Sequence, residues 1–150
     1  MSPPLLVHGT AVAIDGGAVL LRGPSGAGKS DLALRLIEGG ARLVADDQVL
    51  LRRAGGQVLA RAPASIAGLI EARGLGILRV EPLAEVRLVL IADLVLSGDI
   101  ERLPEAHIET VLGIALPLIS VAPFEPSATA KLRFARQLFA ARPPPDIIGR

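Results

Sequence analysis

The stretch that decides the fold is Gly23-Pro24-Ser25-Gly26-Ala27-Gly28-Lys29-Ser30. Its pattern, G-x-x-x-x-G-K-[ST], is that of the phosphate-binding P-loop. The apolar residues 18–21 before it predict a buried strand, and the pattern from about Lys29 to Glu38 predicts an amphipathic helix after it. Strand, loop and helix in this order are the context in which the motif binds phosphates. The alternative interpretation is a glycine-rich turn that only caps a helix.

Each residue type in this loop has a physical role in holding phosphate oxygens. Glycines allow backbone conformations with positive φ and a close approach of the backbone to a ligand. Successive N–H groups then form a concave anion site, and the new helix adds the positive end of its dipole. In this pattern Lys29 reaches the β- and γ-phosphates and Ser30 ligates Mg²⁺. We therefore expect residues 23–30 to bind a nucleotide.

The composition limits the classes of protein to consider. A chain of 150 residues with 51% hydrophobic residues predicts a single domain, 1–150, and three Phe without Tyr or Trp predict an aliphatic core. A net charge of +1 argues against a nucleic-acid partner. The chain has no cysteine, which excludes disulfides, thiolate metal sites and thiol catalysis.

The first residues and the apolar runs predict where in the cell the protein is found. The first residues lack the basic and apolar regions of a signal peptide. The longest apolar stretch, around residues 88–96, contains Asp93 and is shorter than the roughly 20 residues of a membrane span. These features predict a cytoplasmic protein with no membrane partner. The prolines after Arg142 predict that residues 142–150 form a loose tail.

Alternating apolar patterns and turn residues predict a mixed α/β fold. The expected strands are residues 5–14, 18–22, 42–45, 48–53, 57–61, 77–80, 86–96, 108–112 and 114–121. A short helix over 65–70, a loop over 71–76 and another over 97–106 are also expected. A final helix from Ser127 to about Ala141 would bury Leu132, Ala135, Leu138 and Phe139. Asp15-Gly16-Gly17 predicts the turn of a hairpin that leads into the P-loop, and Gly55-Gly56 predicts the turn of a second hairpin. The first hairpin departs from the all-parallel order of the commonest P-loop proteins.

A P-loop needs a partner acid for Mg²⁺, usually at the end of a neighbouring strand. Asp46-Asp47 follows one apolar strand, and Asp93 lies in another. The pattern alone does not choose between them. Two adjacent acids at a strand end are costly unless a cation lies nearby, which favours Asp46 and Asp47. They could divide two roles, one on the metal and one as a base. The alternatives are a solvated turn for this pair and an ion pair within the sheet for Asp93.

Three further polar residues, Glu71, Arg73 and His8, are candidates for binding a metal or phosphate or for transferring a proton. Glu71 and Arg73 flank the loop that begins at Gly74, and could serve a metal and a phosphoryl group. A surface ion pair is the alternative. His8 lies inside a predicted strand, where it is either structural or a proton partner near phosphate.

Together these motifs resemble the catalytic domain of bacterial HPr kinase/phosphorylase. The matching pieces are Val7-His8-Gly9, Gly23 to Asp31, Leu43 to Asp47 and Glu71-Ala72-Arg73-Gly74-Leu75-Gly76-Ile77-Leu78. The double Asp followed by E-x-R-G-L-G-I is the specific part, and the similarity runs from about residue 5 to 112. The resemblance implies a P-loop kinase core related to phosphoenolpyruvate carboxykinase, often assembled as a hexamer. It also implies phosphoryl transfer from ATP, or pyrophosphate in some members, to a serine of an HPr-like phosphocarrier.

The resemblance also implies roles for individual residues. Ser30 and Glu71 would bind Mg²⁺, with Asp46 supporting the metal or the base. Lys29 would stabilise the transferring phosphate, and Asp47 would accept the serine proton. His8 would lie in the same site, and Arg102 corresponds to a mobile active-site arginine.

Two departures from the family pattern qualify these expectations. The chain starts almost directly at the catalytic strand, as in a short form found in alphaproteobacteria. Residues 121–130 contain no arginine or glycine, whereas the family has a basic Pro- and Gly-containing segment there that is linked to phosphorolysis. The resemblance therefore supports the kinase activity and not phosphorolysis. A small-metabolite kinase and a nucleotide-sensing module without phosphotransfer are the alternative functions.

Overall fold

The computed structural model describes residues 3–102 and 105–140. Within these ranges the chain forms eleven strands and two α-helices. In chain order they are β1 (Leu5–His8), β2 (Thr10–Ile14), β3 (Gly17–Arg22), α1 (Lys29–Glu38), β4 (Arg42–Ala45), β5 (Gln48–Ala54), β6 (Gln57–Arg61), β7 (Leu69–Ala72), β8 (Gly76–Arg79), β9 (Val86–Leu94), β10 (His107–Val111), β11 (Ile114–Val121) and α2 (Ala128–Ala140). The predicted tail, residues 142–150, lies outside the described residues.

Nine of these strands form one mixed sheet, with the order β1-β5-β6-β9-β3-β2-β4 and the β10–β11 hairpin attached to β9 through β11. The long strand β9 pairs with three others: antiparallel with β6, and parallel with both β3 and β11. The remaining pairings in this sheet are antiparallel. Strands β7 and β8 form a separate antiparallel hairpin. The predicted α/β class with a mixed sheet is therefore confirmed.

The predicted strand 5–14 is divided at Gly9 into two strands with different partners. β1 pairs with β5, whereas β2 pairs with β3 and β4. A Cβ on Gly9 would lie 2.8 Å from the carbonyl oxygen of Leu21, so the backbone passes too close for any other residue. Asp15 and Gly16 both have positive φ, 51° and 80°, as the predicted Asp-Gly hairpin turn requires.

The helix after the P-loop has the predicted bounds, and its glycine-rich end has a physical explanation. Gly40 adopts a φ of 114°, and its N–H donates to the carbonyl of Ile37. The N–H of Ala41 donates to the carbonyl of Leu36 at 3.0 Å. These two hydrogen bonds form a Schellman motif, which ends α1 and directs the chain into β4.

Two expectations between residues 64 and 80 were wrong. The expected helix over 65–70 is only a 3-10 turn, Ala64–Ile66, and most of the expected loop 71–76 belongs to the β7–β8 hairpin. Gly68, with a φ of 80°, ends the turn, and its carbonyl accepts a hydrogen bond from the N–H of Val80. The side chains of Leu69 to Ala72 alternate in burial, a strand period that the surrounding glycines obscured.

Apolar side chains fill two clusters, because successive residues of β2, β3 and β9 point to opposite faces of the sheet. One cluster contains Leu21, Leu90 and Ile70 together with Leu32 and Leu36 of α1. The other contains residues from β2 to β6 and from β9, β10 and β11. Both faces of the central strands are thus buried.

Helix α2 packs on the first of these clusters. It presents Leu132, Ala135 and Phe139 to the cluster as predicted, but Leu138 is 49% exposed, which corrects that part of the predicted apolar face. In the described part of the chain, neither helix combines the length and apolarity needed to cross a membrane.

Candidate active site around the P-loop

The P-loop joins β3 to α1 and has the backbone geometry of an anion site. Gly26 and Gly28 have φ values of 84° and 96°, which only glycine adopts readily. Gly28 precedes the first residue of α1 and provides no side-chain cap for the helix N–H groups. Uncapped N–H groups and the helix dipole together favour a bound anion at this end of α1.

Lys29 is buried and lies against its own loop. Its Nζ donates to the carbonyl oxygens of Gly23 at 2.7 Å and Pro24 at 3.1 Å. The ammonium charge is therefore held at the loop by backbone oxygens, within the segment that the sequence pattern assigns to phosphates.

The carboxylate of Asp46 joins three parts of the fold. Its Oδ1 accepts hydrogen bonds from the hydroxyls of Ser30 at 2.7 Å and Thr10 at 2.9 Å. Its Oδ2 accepts from the backbone N–H of Glu71 at 3.1 Å. Asp46 is only 7% exposed. The structure thus brings Asp46 to the P-loop serine and fixes both of its oxygens.

Thr10 is a functional candidate that the sequence analysis missed. It is fully buried at the start of β2, and it lies 36 positions from Asp46 in the chain. One signal was available, because Thr10 is the only residue with a polar side chain in the run Thr10-Ala11-Val12-Ala13-Ile14. A hydroxyl in a fully apolar strand needs a hydrogen-bond partner, although the pattern does not say which one.

Asp47 points away from this buried contact and meets His8. The His8 Nε2 and the Asp47 Oδ1 are 3.0 Å apart, and the two side chains are 61% and 69% exposed. Asp47 has a φ of 74°, which is uncommon for a residue other than glycine. The N–H of Gly9 donates to its carbonyl at 3.1 Å. Adjacent acids thus face different surroundings, one buried at the P-loop and one open to an incoming molecule.

Two other expected site residues, Glu71 and Arg102, have exposed side chains that are not fixed by contacts among the described residues. The side chains of Glu71 and Arg102 are exposed, and neither forms a hydrogen bond or ion pair within residues 3–102 and 105–140. Glu71 approaches Asp46 through its backbone alone. Glu71 and Arg73 do not pair with each other, so the surface ion pair that their spacing suggested is not formed.

Asp93, the other candidate acid, belongs to a different cluster. The guanidinium of Arg22 donates to both carboxylate oxygens of Asp93, at 2.7 and 3.1 Å, and to both of Glu109, at 2.6 and 2.9 Å. The hydrogen bonds to Asp93, then those to Glu109, raise the pKa of Arg22. Asp93 is thus paired within the sheet, and of the two candidate acids Asp46 is the one in contact with the P-loop serine.

The side chains near Ser30 suit a hard cation. A serine hydroxyl and carboxylates provide only oxygen donors, which Mg²⁺ prefers. The hydroxyl proton of Ser30 is directed at Asp46, which leaves oxygen lone pairs of Ser30 free. Among the described residues no three His, Asp or Glu side chains form a metal cluster. This sparse set still fits Mg²⁺, which commonly retains waters and shares phosphate oxygens with few protein ligands.

A mixed sheet with a P-loop at the start of a buried helix, and an acid bonded to the P-loop serine, defines a phosphate-binding protein of the P-loop class. The family model described as the HPr Serine kinase C-terminal domain matches residues 1–121. The chain therefore belongs to the HPr serine kinase C-terminal domain family.

Individual relatives agree with this membership. An HPr kinase/phosphorylase of Burkholderia lata is 38% identical over 132 residues, covering 81% of this chain and 41% of the relative. One from an Exiguobacterium species is 48% identical over 81 residues, covering 53% of this chain and 26% of the relative. The structure of the Hpr(Ser) kinase/phosphatase from Coxiella burnetii superposes with a TM-score of 0.81 at 25% identity, covering 91% of this chain and 97% of that one. The chain spans less than half the length of the Burkholderia and Exiguobacterium relatives.

Proposed function

We propose that the protein is an ATP- and Mg²⁺-dependent kinase that phosphorylates a serine of an HPr-like phosphocarrier protein. The observation that carries this proposal is the arrangement of Asp46 and Asp47. Asp46 bonds to the P-loop serine, while the next residue presents an exposed carboxylate that His8 contacts. In this proposal the donor and acceptor sites would be joined through two adjacent residues. The names of the relatives, HPr kinase/phosphorylase, support the choice of acceptor.

The nucleotide would bind at residues 23–30. Backbone N–H groups of the loop and the start of α1 would hold the phosphate oxygens. Lys29, already positioned at the loop by the carbonyls of Gly23 and Pro24, would turn its ammonium group to the β- and γ-phosphates. Phosphoryl transfer depends mostly on such positioning and on charge stabilisation.

Ser30, Asp46 and Glu71 would hold the Mg²⁺ ion, with Ser30 as a direct ligand. The ion would neutralise charge that develops on the phosphates. Asp46 would orient the Ser30 hydroxyl, and Glu71, whose backbone is bonded to Asp46, would bring its exposed carboxylate to the same place.

Asp47 would act as the general base. As the oxygen of the acceptor serine forms its bond to the γ-phosphorus, the bond from that phosphorus to the leaving ADP oxygen breaks, and the serine proton passes to Asp47. His8 would orient the carboxylate through the contact at 3.0 Å. Arg102 would approach the transferring phosphoryl group, a role that rests on the family resemblance.

We propose the kinase direction alone, because residues 121–130 lack the arginine and glycine that the family resemblance associates with phosphorolysis. We also propose a cytoplasmic location, where such a phosphocarrier would be met. A hexameric assembly stays a prediction from the resemblance.

The decisive experiment is transfer from γ-labelled ATP and Mg²⁺ to purified HPr-type carriers, with wild type beside Asp47→Asn. We expect wild type to label a carrier serine. Asp47→Asn should lose at least about 100-fold of the rate, the usual scale of general-base catalysis, while ATP binding persists. Asn tolerates positive φ well, so the backbone at this position is not disturbed.

Asp15→Asn is the matched control, because Asp15 is also an exposed aspartate with positive φ, at a turn away from the P-loop. It should keep full transfer. Retained transfer in Asp47→Asn would remove Asp47 as the base. ATP binding without transfer to any carrier would favour the nucleotide-sensing module, and labelling of small acceptors only would favour a metabolite kinase. Release of phosphate from the labelled carrier on adding inorganic phosphate would show that phosphorolysis is retained.

A further inference from the structure

An exposed aromatic ring lies against the P-loop. Phe124 is one of three Phe in the chain, and it is 70% exposed in the segment between β11 and α2. A Cβ built on Gly28 would lie 2.8 Å from its Cζ and 3.1 Å from its Cε1. The edge of the ring therefore contacts the backbone where α1 begins, while most of its surface is open.

The segment that carries this ring is held in place from both sides. The guanidinium of Arg35 in α1 donates to the carbonyl oxygen of Pro123. Glu125 accepts from the hydroxyl of Ser97 at 2.8 Å and from the ammonium of Lys131 at 3.0 Å. These contacts, with the Ser97 hydrogen bond first, lower the pKa of Glu125 because both stabilise its carboxylate. Phe124 is thus exposed but flanked by two fixed residues.

Core packing does not account for this position. Phe139 packs against an apolar cluster, whereas Phe124 and Phe134 leave most of their apolar surface in water. Of these two exposed rings, Phe124 is the one that lies against Gly28 of the P-loop. An apolar ring gains little from folding when it stays exposed, because the stabilisation is proportional to the area that is buried. A fixed, exposed ring beside a loop that binds phosphates is suited to a ligand with a flat apolar part.

We propose that Phe124 is the platform on which the purine base of the nucleotide stacks. This inference rests on the nucleotide site of the proposed function. The P-loop determines where the phosphates lie, so the base must lie within one ribose length of them. Every base has a π-face, and stacking on an aromatic side chain is a substantial source of affinity for nucleotides. Residues 121–130, which depart from the family pattern, thereby gain a role in binding the donor.

The test compares nucleotides with a ligand that has phosphates but no base. Binding of ATP, ADP and tripolyphosphate would be measured by calorimetry for wild type, Phe124→Ala and Phe134→Ala. Phe134 on α2 is the matched control because it is also 70% exposed. We expect Phe124→Ala to raise the Kd of ATP and ADP about tenfold and to leave that of tripolyphosphate unchanged. Phe134→Ala should leave the Kd of all three ligands unchanged. Thermal unfolding would check that both variants fold.

A fluorescent variant gives a second readout. The chain contains no Trp, so Phe124→Trp would introduce a single indole at the proposed platform. A stacked purine should quench its emission on addition of ATP, whereas tripolyphosphate should leave it unchanged.

Three outcomes would overturn the proposal. Equal weakening of ATP and tripolyphosphate in Phe124→Ala would mean that the ring only shapes the loop. Unchanged affinity for all three ligands with a higher KM for the carrier would mean that it contacts the carrier instead, and unchanged affinity with unchanged KM would leave it without a role. Failure of wild type to bind either ATP or tripolyphosphate would instead contradict the nucleotide site itself.

Discussion

Thr10 connects the two adjacent acids of the site. Its buried hydroxyl donates to Asp46 at 2.9 Å, and its oxygen lies 3.5 Å from the backbone nitrogen of Asp47. Ser30 donates to the same oxygen of Asp46. A carboxylate with two hydroxyl donors on one oxygen is held in a single orientation, and that orientation also determines where the Ser30 hydroxyl points. Thr10 is therefore a positioning residue that acts through Asp46.

We predict that Thr10→Val lowers the free energy of unfolding by about 2 kcal/mol, because a buried hydrogen bond to a charged group is lost while the volume is kept. The Mg²⁺ concentration for half-maximal ATP binding should rise, since Asp46 and Ser30 lose their fixed geometry. Urea unfolding and Mg²⁺ titrations would measure the two effects. Thr10→Ser retains the hydroxyl and should recover the Mg²⁺ dependence. A Mg²⁺ titration of Thr10→Val that matches wild type would contradict this role.

At the residue scale, short sequence motifs predicted the features that depend on neighbouring residues alone. The glycines of the P-loop require positive φ at fixed spacing, and an adjacent pair of acids needs an explanation wherever it occurs. Thr10 and Asp46 meet across 36 positions, through a strand pairing that no local pattern encodes. The pairing of Arg22 with Asp93 and Glu109 could not be predicted for the same reason.

At the scale of elements, Arg22 joins three strands immediately before the P-loop. It lies at the end of β3, Asp93 lies beside it on β9, and Glu109 comes from β10. The two carboxylates face one guanidinium, so the removal of the cation would leave two like charges close together in a partly buried place. The two carboxylates therefore fix the position of Arg22, the residue that directly precedes the P-loop.

We predict that Arg22→Met destabilises the protein by about 2 kcal/mol, somewhat less than the 3–5 kcal/mol typical of breaking a fully buried pair. The control is Arg52→Met, which removes the guanidinium that donates to Glu85 at 2.8 and 2.9 Å. Arg52 is more exposed than Arg22, so the loss of its guanidinium should destabilise the protein less. Chemical denaturation of both variants would measure the difference. Equal costs would mean that the three-strand cluster contributes no more than a surface ion pair.

Two hairpins, β2–β3 and β5–β6, were predicted from their turn residues. Asp15-Gly16 and Gly55-Gly56 mark turns directly, because Asp15, Gly16 and Gly55 adopt the positive φ that a tight turn requires. The β7–β8 hairpin was missed because its strands are only four residues each and glycines lie around and within them. The partners of β9 were also out of reach, since an apolar run buried on both faces carries no information about its neighbours. The exposed Leu138 shows that the helical period predicts which side of α2 is buried, but not how many residues that buried side includes.

At the scale of the whole molecule, β9 connects the two apolar clusters. The neighbouring residues Leu90 and Ile91 are both fully buried, and each belongs to a different cluster. Because one strand lines both clusters, loss of packing on either side disturbs the strand on which the other depends. The single domain expected from the sequence stays a prediction, and this shared strand suggests how to test it.

We predict one cooperative unfolding transition, and we expect Leu90→Ala and Ile91→Ala each to lower its free energy by roughly 2–5 kcal/mol. Both variants should shift the same transition without changing the slope of the free energy against denaturant. Urea titrations followed by circular dichroism would measure this. Two separate transitions, each sensitive to only one of the variants, would contradict a single domain.

The parallel pairing of β3 with β9 also has a consequence for the order of folding. Arg22 and Asp93 meet across 71 positions of the chain, whereas the hairpins β2–β3, β5–β6 and β10–β11 close through short turns. Long-range pairing carries a larger entropic cost of loop closure, so we expect the hairpins to form early and the β3–β9 ladder late. The P-loop follows β3 directly, and its glycines have no rigid frame until that ladder exists. A newly synthesised chain would therefore acquire its phosphate site only near the end of folding, and partly folded chains would not compete for nucleotide.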